Sequence, residues 1–146
     1  AFDFYSCFIS DSSQDKSFVE RLYADLQAKG VRCWYAPKDL KIGEPFLLGI
    51  EQGIRLHDKL LLVLSEQSVA SDWVQHEVLS AMAKERGKEM WVLFPIRLDD
   101  TVMDTNVHWA TMIRDTRHIG DFTHWKDHDA YQEALDRLLR DLKAGG

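Results

Sequence analysis

"DKLLLVLSEQSVASDWVQHE", residues 58–77, is the stretch that decides the fold. Leu60, Leu61, Leu62, Val63 and Leu64 run consecutively between polar flanks, the pattern of a strand buried on both faces. A helix should follow, with Ser71 as N-cap and Asp72 in the first turn, where an acid is favourable. It continues through Val78 and Met82 to about Arg86. Trp73 and Glu77 are four residues apart, so they share one face of that helix, one above the other. The pair is either a solvated helix start or the floor of a site that handles an aromatic, charged ligand.

Upstream, "DFYSCFIS" (3–10) reads as a buried strand and "DSSQD" as the turn and helix start after it. Residues 14–29 carry Phe18, Leu22 and Leu26 at helical spacing, with Gly30 as the stop. "VRCWYA" (31–36) is a second strand, and residues 37–45 form a loop bracketed by Pro37 and Pro45. Residues 46–56 place Phe46, Ile50 and Ile54 on one face of a short helix weakened by two glycines. Downstream, "EMWVLFPIRL" (89–98) is a fourth strand, 99–114 an irregular stretch, and "TRHIG" (116–120) a short edge strand. The last helix, about 128–143, has Tyr131, Leu135, Leu138, Leu139 and Leu142 on its apolar face.

Strands separated by helices imply right-handed crossovers and a parallel sheet. The fold expected is α/β: a flavodoxin-like, doubly wound, five-stranded parallel sheet of order 2-1-3-4-5, with helices on both faces. Such sheets bind ligands beyond the carboxyl ends of the strands, near the switch point between the first and third. "SDSS" after the first strand, "APKDL" after the second and "SEQSVASDW" after the third all fall at that edge, which puts Trp73 and Glu77 at its rim.

The 146 residues make one domain, 1–146, with 45% hydrophobic and 29% charged residues, an ordinary globular composition. A net charge of −6 with interspersed basic residues argues against nucleic acid or an anionic membrane as partner. No apolar run approaches the ~20 residues of a membrane helix. The chain opens at Ala1 in an apolar run and closes on "KAGG", so a domain of a longer multidomain protein is expected. Cys7 and Cys33 sit in apolar runs and read as reduced core residues of a cytosolic protein; a disulfide needs the two runs to be neighbouring strands. His124 and His128 stand at i, i+4 spacing, but no Cys or acid cluster completes a recognisable site, so no metal is expected. A phospho-receiver domain shares the fold, yet Ser65 and Glu66 stand where a phospho-accepting Asp is required.

"CFISDSSQD", "RCWYAPKDLKIGEPF" and "LLLVLSEQSVASDWVQHE", in that order and spacing, resemble a TIR (Toll/interleukin-1 receptor) domain of bacterial type. The likeness runs from Phe2 to Leu142. It implies one of two activities. Many bacterial and plant members, and the animal axon-degeneration enzyme, cleave NAD+ at the nicotinamide–ribose bond; receptor and adaptor members mainly assemble signalling complexes. Cleaving members carry a Glu four residues after a Trp on the helix following the third strand, which implies Glu77 as the catalytic residue and Trp73 as a substrate-stacking one. Ser10, Asp11 and Tyr35 are the further candidates to line the crevice. The loop with Pro37, Lys38, Asp39, Leu40 and Gly43 is implied to cover the pocket and contact a neighbouring subunit, since active assemblies build the site across two chains. Cleaving relatives often carry His or Tyr where this chain has Asp11, and an acid where it has Ala36.

The resemblance therefore implies a cytoplasmic NAD+ glycohydrolase active on self-association, in bacterial defence, with NAD+ as substrate and no cofactor. The alternative is a catalytically silent domain for homotypic TIR–TIR assembly. A nucleoside-processing transferase of similar fold is a third option, separable by its substrates.

Overall fold

The computed structural model describes residues 3–10, 15–35, 42–43, 57–70, 72–86 and 92–144, without the side chains of Asp72 and Trp73. In chain order the elements are β1 (Cys7–Ser10), α1 (Lys16–Ala28), β2 (Cys33–Tyr35), β3 (Lys59–Leu64), α2 (Glu66–Val69), α3 (Asp72–Glu85), β4 (Leu93–Arg97), α4 (Thr101–Asp104), α5 (His108–Thr116), β5 (Gly120–Asp121) and α6 (His128–Leu142). The five strands form one sheet of order β2-β1-β3-β4-β5. Every pairing is parallel. This is the doubly wound topology expected from the sequence. Among the described residues no helix is long and apolar enough to cross a membrane.

The side-chain alternation of the strands divides the core in two. On one face Cys7, Ile9, Leu61, Val63 and Ile96 pack with Phe18, Leu22 and Leu26 of α1 and with Tyr131, Leu135 and Leu142 of α6. On the other, Phe8, Leu60, Leu62, Leu64 and Leu93 pack with Val74, Val78 and Ala81 of α3 and with Trp109, Ala110 and Ile113 of α5. β3 is buried along its whole length, as its unbroken apolar run requires.

Local signals explain the helix ends. Gly30 takes φ +88°, a left-handed conformation that glycine adopts without penalty, and α1 stops there. Asp127 caps α6, its carboxylate accepting from the Ala130 amide. α1 and α6 are joined by a hydrogen bond of 2.6 Å from the Tyr131 hydroxyl to Asp25. Arg21 lies 3.6 Å over the Tyr131 ring.

Two expectations change. Residues 99–114, expected to be irregular, hold α4 and most of α5. α5 has no side-chain cap: its N-cap is Val107. It is secured by Arg114, whose Nη1 donates to the carbonyls of Val102 (3.2 Å), Met103 (3.0 Å) and Thr105 (3.1 Å). The edge strand, expected at 116–120, is only Gly120–Asp121, paired with Ile96 and Arg97. The helix expected at 46–56 lies outside the described residues, as does the loop 37–45 apart from Ile42 and Gly43.

Candidate functional site

The carboxyl ends of β1, β2 and β3 form the edge at which the site was expected. Ser10 is the last residue of β1 and pairs with Leu62. Strand alternation puts its side chain on the face of Phe8, the face covered by α3. It is 2% exposed, and among the described residues its Oγ has no hydrogen-bond partner. A buried hydroxyl in that state is uncommon and costs stability unless something else occupies it.

α3 begins beside this edge. Val74, Glu77, Val78 and Ala81 are buried, whereas Gln75 and His76 are exposed. Glu77 therefore lies on the sheet-facing stripe of the helix and is 2% exposed. It is not a solvated first-turn acid. Helical spacing keeps Trp73 one turn before Glu77 on the backbone of α3. Its side chain lies outside the described residues, as do Asp11, Pro37, Lys38, Asp39 and Leu40.

Tyr35 ends β2, is 2% exposed and belongs to the core under α1. Its ring meets that of Tyr23 at 5.7 Å. The structure thus brings Ser10 and Glu77 to one face of the sheet and Tyr35 to the other. Gly43 is exposed with φ +84°, a conformation that favours glycine.

Sequence reasoning missed the contacts that hold this edge together. Ser65, just past β3, donates its hydroxyl to Asp15, at the start of α1, at 2.5 Å. The same Oγ accepts from the Ser68 amide at 3.3 Å, and Ser68 Oγ accepts from the Ser65 amide at 2.7 Å. This reciprocal pair is a capping box on α2, with Ser68 in the position more often held by Glu or Gln. Asp99, beyond β4, accepts from the Glu66 amide at 3.0 Å and the Thr101 amide at 3.0 Å. The ends of β3 and β4 and the start of α1 are thereby laced together around the switch point between β1 and β3. The S-x-x-S spacing was a readable signal; nothing near Asp15 or Asp99 in sequence announces their partners.

A separate cavity of about 800 Å³ lies along β4 and β5, walled by Phe94, His118, Phe122, Trp125 and Leu138 among others. None of Ser10, Tyr35 or Glu77 lines it. His128 opens α6 while His124 lies in the turn before it, so the two do not share a helix face. Among the described residues no group of three or more His, Cys, Asp or Glu is placed to hold a metal ion.

A family model described as "TIR domain" matches residues 7–139. Over 90 residues the chain is 34% identical to the 2' cyclic ADP-D-ribose synthase AbTIR of Acinetobacter baumannii, covering 61% of this chain and 34% of that protein. It is also 34% identical, over 94 residues, to the NAD(+) hydrolase TcpA of a Theionarchaea archaeon, covering 63% of this chain and 28% of that protein. The chain spans about a third of the length of these curated relatives. Among solved structures, the TIR domain of the Toll-related receptor TRR-2 from Hydra magnipapillata superposes with TM-score 0.71 at 17% identity, covering 94% of this chain and 98% of that one. A metazoan TIR-STING receptor from C. gigas superposes with TM-score 0.65 at 20% identity, covering 94% of this chain and 40% of that one. These structural likenesses establish the fold.

Proposed function

The chain belongs to the TIR domain family, and on that premise we propose that it cleaves NAD+ at the nicotinamide–ribose bond with Glu77 as the catalytic carboxylate. The observation that carries this reading is the burial of Glu77 on the sheet-facing side of α3, at 2% exposure, on the face to which Ser10 also belongs. A surface acid serving only the helix dipole has no reason to be buried.

The chemistry suits a single carboxylate. Nicotinamide is cationic within NAD+ and departs as a neutral molecule, so no general acid has to protonate it; ordinary glycosides need a second carboxyl for that purpose. The ribose left behind carries oxocarbenium character. A buried carboxylate stabilises that charge most strongly where water is excluded and can accept from the ribose hydroxyls. In this reading Trp73 stacks on the nicotinamide ring. Ser10 offers its buried hydroxyl to the substrate, and Asp11 lines the same crevice. Tyr35, packed on Tyr23, holds the end of β2 from the opposite face. Water capture of the ribosyl cation gives ADP-ribose; capture by the adenosine half gives a cyclic isomer. The names of the relatives cover both outcomes.

Self-association through the loop holding Pro37, Lys38, Asp39, Leu40 and Gly43 completes the proposal, with a setting in bacterial defence. Both rest on the family resemblance. The test is nicotinamide release, followed by chromatography of NAD+ and its products, over a rising series of protein concentrations. The expected result is a rate that climbs faster than linearly with concentration, and the product peak assigns hydrolase or cyclase. An inert protein at every concentration, and when forced to assemble, would leave the assembly-only reading in its place.

A further inference from the structure

We propose that Cys7 and Cys33 form an oxidisable thiol pair, a disulfide site that ties edge strand β2 to β1. The two residues are direct partners in the parallel register. Their Sγ atoms lie 3.2 Å apart, and both are free thiols. Adjacent strands stand about 4.8 Å apart, within the ~4.4–6.8 Å range of Cα separations that a disulfide spans. Closing the bond therefore asks for movement of the sulfurs and leaves the strand register as it is. Both side chains pack on the α1-covered face, so they already point the same way.

The two thiols have different surroundings, and this orders the chemistry. Cys7 is fully buried, whereas Cys33 is only partly so. The contact with Cys33 and burial hold the Cys7 thiol well above its ordinary pKa, which makes it the poorer first nucleophile. Cys33 is the residue that meets a peroxide. Its thiolate attacks one peroxide oxygen, the O–O bond breaks, and the departing hydroxide takes up the released proton as water. Cys33 is then a sulfenic acid. Cys7 Sγ attacks Cys33 Sγ; the S–O bond breaks as the S–S bond forms, and hydroxide leaves with the Cys7 proton as a second water. Two thiols lose two electrons and one peroxide gains them. A small-molecule disulfide as oxidant reaches the same bond by exchange, releasing two thiols.

The bridge pins one edge of the sheet. Among the described residues β2 has three residues and pairs on one side only, with β1. The inference is independent of NAD+ cleavage.

The experiment exposes the wild-type protein to hydrogen peroxide, unfolds it without reductant, alkylates the remaining thiols and records the intact mass. The chain has only these two cysteines, so the readout is unambiguous. The expected product is a monomer about 2 Da lighter than the untreated protein, resistant to alkylation and restored by dithiothreitol. Cys7→Ser should instead leave Cys33 as a sulfenic acid that dimedone traps, and Cys33→Ser should leave Cys7 as a free thiol. Two alkylated thiols after treatment, oxygen addition at both sulfurs, or disulfide-linked dimers as the sole oxidised product would overturn the proposal.

Discussion

Ser10 and Glu77 are two polar side chains buried on the α3-covered face of the sheet, and that placement is the residue-scale argument for a site. Ser10→Ala removes a hydroxyl with no partner among the described residues. It should leave thermal stability unchanged or raise it by up to about 1 kcal/mol, while raising the KM for NAD+. A clear fall in melting temperature with unchanged KM would make Ser10 structural. Glu85 shows the opposite case, a carboxylate whose partners more than offset its burial. Burial alone pushes its carboxyl up, but Arg117 and the amides of Leu93 and Val92 hold it below its ordinary 4.5. Both Arg117 nitrogens meet it, one at 2.8 Å. A carboxyl lowered in the folded state adds stability that is full above pH 4.5 and is lost as pH falls through the folded value. Urea midpoints of wild type and Glu85→Gln should therefore differ most at pH 7 and converge in acid. A constant gap across that range would contradict the assignment.

At the scale of elements, Ser65 couples α2 to α1, and α2 leads directly into α3. Ser65→Ala removes the hydroxyl that bonds Asp15 and caps the Ser68 amide, with an expected loss of about 1–3 kcal/mol that Ser65→Thr should largely restore. Equal denaturation midpoints for wild type and Ser65→Ala would show that the capping box contributes nothing. α5 depends on Arg114 in the same way. Arg114→Ala should cost about 1.5–3 kcal/mol and speed amide exchange across residues 101–116 before any other element responds. Exchange that rises uniformly through the chain would instead mark Arg114 as part of the general core. This element also shows where sequence reading reached its limit. β3 and α6 were legible because long apolar patterns carry their own period. α5 spans nine residues, so only Trp109, Ala110 and Ile113 mark its buried face, and Val107 gives no capping signal. Its security comes from Arg114 reaching back to carbonyls of α4 and the segment after it, and no local pattern encodes such a contact. β5 was misplaced for a similar reason: a two-residue strand carries no alternation, and its position is set by pairing with Ile96 and Arg97.

For the whole molecule, the order β2-β1-β3-β4-β5 was readable from the alternation of strands and helices, because right-handed crossovers leave few other arrangements. The placement of the candidate site was readable in part. The Trp73–Glu77 spacing pointed to α3, and the topology placed α3 at the switch point. That Glu77 faces inward and Tyr35 lies on the opposite face depends on how α1 and α3 settle on the sheet, which spacing along the chain does not specify. The central claim joins these levels: a buried carboxylate, held by α3 at the carboxyl edge of a TIR sheet, breaks the nicotinamide–ribose bond. Its most direct test compares nicotinamide release by wild type and Glu77→Gln at matched high concentration, with circular dichroism confirming that both are folded. The account predicts turnover by the wild type and a loss of at least about 10²–10³-fold in the variant. Equal turnover by the two proteins would contradict it.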